Sequence, residues 1–168
     1  PKQQQIEFDM FRQHGLDNFE ELLLGLANDP AIGKGLLRAW SAGSHPTGRV
    51  NPGALAWLEG AGISTDGLCS ESWDRYAGND AEPLDLVVTV CGNAAAETCP
   101  VWPGAPITAH WGVDDPAAVV GDAKAVQEAF ATAAGCLRRR IEAFVALPLE
   151  DMSGEQRLQA ARAIGQLP

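Results

Sequence analysis

Residues 84–91, LDLVVTVC, constrain the fold more than any other stretch of this chain. The run is apolar at nearly every position, so it reads as a strand covered on both faces, which is how strands of a parallel sheet are buried. Parallel neighbours need helical crossovers, and the flanking sequence supplies them. Residues 5–11, QIEFDMF, alternate with Ile6, Phe8 and Met10 on one side, a short strand signal. A polar loop then leads to a helix starting near Phe19. Asp17 or Asn18 caps it, Glu20 and Glu21 suit the positive end of its dipole, and Leu22, Leu23 and Leu26 form its stripe. Residues 36–40, LLRAW, read as a second strand ending in the turn SAGSHP.

Asn51-Pro52 is an N-cap with proline at the first helical position, and Leu55, Leu58 and Ile63 carry that helix's core contacts. SESWDRYAG (70–78) is a short helix capped by Ser70 or Ser72, and ITAHW (107–111) a further strand. A long helical pattern runs from Ala117 to Leu147, with Arg138, Arg139 and Arg140 mostly on its outer face, and a last helix spans 154–165. Strands alternating with helices in this order predict a mostly parallel, doubly wound α/β sheet. A length of 168 residues favours one domain, residues 1–168, over two. Ligands of such sheets bind outside the carboxyl ends of the strands, where Cys91 stands.

The net charge of −10 repels phosphate, which argues against nucleic acid or an anionic membrane as partner. One local pocket can still hold an oxyanion. No apolar run reaches the roughly 18 residues of a membrane helix and no signal peptide opens the chain, so the cytoplasm is the expected location. Thiols stay reduced there, and a close cysteine pair points to metal or redox chemistry rather than to a staple. Cys91 and Cys99 enclose GNAAAET, a loop that can bring the sulfurs together or hold them apart until it moves. The plain alternative makes Cys91 a buried strand residue and Cys99 an incidental thiol. Their spacing fits neither C-x-x-C nor a zinc site, so no metal or cofactor is expected. Cys69 and Cys136 look solitary, and Cys136 reads as packing. In HWGVDDPA (110–117), the paired carboxylates either cap the next helix or hold a general acid on a rigid loop.

Three segments together carry a resemblance: SAGSHPTGRVNPGA (41–54), DLVVTVCGNAAAETCP (85–100) and HWGVDDPA (110–117). In that order they resemble the arsenate reductases built on the low-molecular-weight protein tyrosine phosphatase fold, over about residues 33 to 147. The resemblance implies a three-layer architecture, a four-stranded parallel sheet with helices on both faces. It implies that Asp115, directly before Pro116, is the general acid. It implies that Cys91 and Cys99 form the redox relay: a first cysteine attacks arsenate, Cys91 attacks the thiol–arsenic adduct and expels arsenite, and Cys99 takes over to form a disulfide. A thioredoxin-like reductant then resets the pair.

The first cysteine is missing. The family's nucleophile sits in a C-x5-R loop after the first strand, whose N–H groups and arginine cradle the oxyanion and lower the thiol pKa. Here that loop reads MFRQHGLDN, and no cysteine precedes Cys69. Arg12 and His14, with Ser41, remain as groups able to attract an anion weakly, the alternative for the loop being a solvated segment. Residues 1–30 are therefore atypical. Three origins are open: catalysis lost with binding kept, a rebuilt anion loop, or a reading error. A shift of one base over Met10–Gly15 can read Cys-Ser-Gly-Asn-Thr-Ala, but Leu16 shifted likewise cannot give the arginine. Glu7 and Asp9 also sit badly on a central strand, so either one face is open there or residues 1–30 pack differently, by exchange in a homodimer. The functional alternatives are a non-catalytic oxyanion- or partner-binding protein and a phosphatase of the same fold. The cysteine pair favours the reductase, as does Ala117-Ala118 where the phosphatases carry a tyrosine-bearing acid loop.

Overall fold

The computed structural model describes residues 4–10, 20–43, 46–77, 80–90, 102–104 and 106–168, with side chains from residue 21 onward. Strand β1 (Gln4–Met10) leads to helix α1 (Glu20–Asn28), strand β2 (Leu37–Gly43), helix α2 (Pro52–Gly60) and the single turn α3 (Asp74–Ala77). Strands β3 (Leu86–Thr89) and β4 (Ile107–His110) follow, then a 3-10 turn at Pro116–Ala118 and helices α4 (Ala123–Val145) and α5 (Gly154–Ile164). Every strand pairing is parallel, in the order β2-β1-β3-β4.

β1 is central by its backbone. Its register sets Glu7 beside Trp40 and Val87, and Asp9 beside Ala42 and Thr89. Both edges of β1 are therefore hydrogen-bonded within this one chain, and the ladder needs no strand from a second copy.

β3, apolar at Leu86, Val87 and Val88 and closed by Thr89, is buried at all four positions. Its pleat sends alternate residues to two clusters. Leu86 and Val88 join Leu37, Ala39 and Ala109 under α1, α2, α4 and α5, with Leu22, Leu58, Phe130, Leu137 and Ile141 at the centre. Val87 faces the other way, with Leu84, Trp102, Trp40, Trp73 and Tyr76. One face thus carries the long helices. Among the described residues, the other carries α3 and an aromatic cluster. Close approach of the helices depends on glycine: a Cβ on Gly25 of α1 would stand 2.8 Å from Leu58 of α2, too near for real contact.

The Asn51 side chain caps α2 by accepting from the Gly53 N–H at 2.7 Å, as the Asn-Pro start foretold. Two expectations need correction. The pattern over 117–147 is not one helix: a turn at Pro116–Ala118 is followed by a break with Val120 fully exposed, and α4 starts only after Asp122 caps the Ala125 N–H at 2.9 Å. The second concerns Arg140, which is buried at 5% exposure rather than lying on the outer face of α4.

Candidate active site

The segment after β4 is fixed at the carboxyl edge of the sheet. The Trp111 N–H donates to the Thr89 carbonyl at 2.7 Å and the Val113 N–H to the Val90 carbonyl at 3.0 Å, so residues 111–113 keep following β3 beyond the last strand pair. Trp111 is fully buried. Its indole N–H donates to the Ala161 carbonyl of α5 at 2.9 Å, and its ring meets Phe144 edge-on at 6.1 Å. From α4, Arg140 Nη1 donates to the carbonyls of Trp111 at 2.8 Å and Gly112 at 3.0 Å. Asp115 follows two residues after Val113. Its Oδ1 accepts from the Ala117 N–H at 2.8 Å and caps the turn at Pro116–Ala118. The carboxylate is therefore a helix cap in geometry. It also lines a cavity of about 470 Å³ between this loop and α4, shared with Thr132, Cys136, Arg139 and Arg140.

The remaining expected site residues divide sharply. Cys91, Cys99, Arg12 and His14 lie outside the described residues. Val90, the residue before Cys91, is the partner of Val113. Ser41 lies on β2, 3% exposed, and its hydroxyl has no hydrogen-bond partner among the described residues. β1 and β3 stand between β2 and β4, so roughly 14 Å of sheet, three strand spacings, separates Ser41 from the acid loop. Ser41 and Asp115 are not brought together. No group of three or more potential metal ligands occurs among the described residues.

Residues 20–153 match the family model described as low molecular weight phosphotyrosine protein phosphatase. The chain belongs to that family. Its match begins at α1, after the loop that should carry the nucleophile. Among curated relatives, the arsenate reductase of Halalkalibacterium halodurans is 35% identical over 105 residues, 62% of this chain and 72% of the relative. The arsenate reductase of Bacillus subtilis is 39% identical over 84 residues, 50% of this chain and 57% of that protein. The glutaredoxin arsenate reductase of Synechocystis is 29% identical over 115 residues, 68% of this chain and 79% of its own length. A solved arsenate reductase in the oxidized state superposes with a TM-score of 0.64 at 25% identity, covering 85% of this chain and 97% of the other. This phosphatase-family chain is arsenate reductase-like, on a low-molecular-weight phosphatase-like α/β fold.

Two features of this family member escaped the sequence reading. The first is Arg140. It follows Leu137 by three positions and precedes Phe144 by four, inside the buried stripe of α4, and that spacing was the available signal. Burial lowers its pKa first, with the Arg139 charge adding, and four hydrogen bonds to backbone carbonyls satisfy the charged form. The Arg140 charge also acts on His110, whose pKa falls through burial first and that charge second. His110 Nδ1 lies 2.8 Å from Thr89 Oγ1, its cross-strand neighbour.

The second is a hub at the carboxyl end of β2. The Gly43 N–H donates to the Glu71 carbonyl, and the Trp73 N–H donates back to Gly43. The Glu71 carboxylate accepts from Cys69 Sγ at 3.1 Å, Arg75 Nη1 at 2.7 Å and the Tyr76 hydroxyl at 2.9 Å. Burial pushes Glu71 up, but the bonds from Cys69 and Tyr76 and the nearby Arg75 outweigh it and hold its pKa below the ordinary range. Burial, then the Glu71 bond and charge, push the Cys69 thiol up to about 11. Cys69 is not solitary. It is a protonated hydrogen-bond donor at neutral pH, the wrong state for the missing attacking thiol.

Proposed function

We propose that this chain handles an arsenic oxyanion at the carboxyl edge of its sheet by the arsenate reductase chemistry of its relatives, retaining the acid and the relay and lacking the first nucleophile. The reading takes the β2-β1-β3-β4 ladder as the family's full four-stranded, three-layer architecture. The observation that carries it is the clamped acid loop: Val113 pairs with Val90, and Asp115 follows Val113 by two residues just as Cys91 follows Val90 by one. Asp115 is then the proton donor to a leaving oxygen. With no first cysteine, Cys91 takes the attacking role: its sulfur bonds to arsenic and expels the oxygen that Asp115 protonates. Cys99 then attacks the Cys91 sulfur, forming the disulfide and releasing arsenic as arsenite, the two thiols supplying the two electrons. A thioredoxin-like reductant returns the disulfide to two thiols, consistent with the glutaredoxin-named relative. Arg12 and His14 are weak oxyanion contacts in this scheme, and Ser41, three strands from the acid loop, takes no part in it.

One observation favours a second reading, a non-catalytic oxyanion- or partner-binding protein. No cysteine precedes Cys69, and the family match starts only at residue 20. Arsenate turnover with thioredoxin, its reductase and NADPH separates the two. Turnover that Cys91→Ser abolishes establishes the reductase. Absence of turnover, of phosphate-ester hydrolysis and of any Cys91→Ser effect leaves the binding protein. Elution at a single-chain volume would remove the homodimer through residues 1–30.

A further inference from the structure

We infer that Arg140 is a positioning residue for the acid loop: from α4 its guanidinium grips the Trp111 and Gly112 carbonyls and so sets where Asp115 presents its carboxyl group. The inference rests on the reading of Asp115 as proton donor. Its first support is the position itself. Arg140 occupies a buried stripe between Leu137 and Phe144. A leucine or methionine there would pack without the desolvation cost of a guanidinium, which often exceeds what a buried charge returns.

The second support is where the bonds go. Nη1 reaches two consecutive carbonyls of the loop, while Nε and Nη2 both reach the Leu167 carbonyl at 3.1 and 2.8 Å. Only a planar fork can serve both sides at once, and a lysine ammonium cannot. Among the described residues the charge bonds to no carboxylate, so the interaction fixes backbone.

The third support is what surrounds the grip. The Trp111 indole is held by Ala161 and the Val113 N–H by Val90, so the loop has anchors without Arg140. Removing the guanidinium therefore loosens the Trp111 and Gly112 carbonyls, and with them the approach to Asp115, without dismantling the fold. Gly112 packs against the His110 ring: a Cβ there would stand 2.6 Å from Nε2, so a larger residue would have to push the imidazole aside.

The experiment compares Arg140→Lys, and Arg140→Met as a charge-free second variant, with the parent chain. Amide hydrogen exchange across 112–118 is expected to quicken tenfold or more in both variants, with residues 165–168 quickening too because the Leu167 carbonyl loses the same donor, and the rest of the chain within twofold. In arsenate turnover, Arg140→Lys should lower kcat tenfold with KM within twofold. The same change in an Asp115→Asn background should cause no further loss. Exchange that speeds everywhere alike, exchange unchanged over 112–118, or losses that multiply with Asp115→Asn would each overturn the inference. If the parent turns over no arsenate, the proposed function fails separately, and local exchange alone decides the clamp. The His110 titration midpoint gives an independent check: it should rise in Arg140→Met and hold in Arg140→Lys, which keeps the charge.

Discussion

The thiol of Cys69 should react slowly, and the amount follows from its surroundings. Cys69 is exposed, so access to reagent does not limit it. Its pKa stands at about 11 against an ordinary 9.0. At about pH 8 the ionised fraction is then roughly 1 in 1000 instead of about 1 in 11, a deficit near 90-fold. A more basic thiolate is intrinsically more nucleophilic; with a Brønsted slope of about 0.45, two pKa units return roughly eightfold. Iodoacetamide should therefore alkylate Cys69 about tenfold more slowly in the folded chain than in urea. Peptide mass spectrometry distinguishes it from the other cysteines. Glu71→Gln removes the carboxylate charge and leaves the desolvation of the partly covered sulfur, which is the largest cause, so it should restore only part of the tenfold. The sign in stability follows: the thiol–carboxylate bond contributes fully below about pH 9 and is lost as pH rises toward about 11. Folded Cys69 reacting as fast as in urea would refute this, and would make it a candidate for the missing attacking thiol.

Asp115→Asn keeps a good cap and should melt close to the parent while losing leaving-group protonation, whereas Asp115→Ala should lose about 1 kcal/mol. Leaving-group protonation unchanged in Asp115→Asn would reduce Asp115 to a cap. Cys91 and Cys99 should form a disulfide under mild oxidant, read as a 2 Da loss and protection from alkylation, and both thiols remaining fully reactive would dismiss the relay. Ser41→Ala should leave urea stability unchanged or raise it by up to about 1 kcal/mol, because the buried hydroxyl has no partner among the described residues; a loss above that would reveal one. A peptide reading MFRQHG at residues 10–15 should appear in the digest of the natural protein, and Cys-Ser-Gly-Asn-Thr-Ala in its place would expose a reading error.

What the sequence disclosed and what it hid follow one physical division. Periodicity and capping are local, so the apolar run of β3, the Asn51-Pro52 helix start and the strand–helix alternation were all legible. The break before α4 was not, because Val119 and Val120 kept an apolar rhythm through a segment where Val120 faces solvent entirely. Gly121-Asp122 was the local signal against continuity. Arg140 was hidden by its neighbours. Arg138 does lie on the surface, paired with Glu142 at 2.8 Å, and three arginines in a row suggest one solvated face although a helix turns 100° at each step. The Glu71 hub unites residues close in sequence, but its bonds depend on how 69–76 fold against β2, which no spacing rule encodes.

The odd opening of the chain separates scaffold from chemistry. The family match begins only at residue 20, yet β1, which precedes it, occupies the centre of the ladder with β2 on one side and β3 on the other. A central parallel strand is specified chiefly by its neighbours' backbone and by the apolar faces around it. The C-x5-R loop is specified by reactivity, and a chain can lose it without losing the strand that leads into it. Ser41 fits the same division: it occupies a buried sheet position and shares no site with Asp115. The acid loop lies on the scaffold side by its anchors, held by Thr89, Val90, Ala161 and Arg140. Its geometry therefore persists where the attacking thiol does not. On the proposed role of Asp115 as proton donor, a cysteine restored after β1 should meet an acid already in place, whereas removing the Arg140 clamp should leave even a restored thiol facing a misplaced carboxyl group.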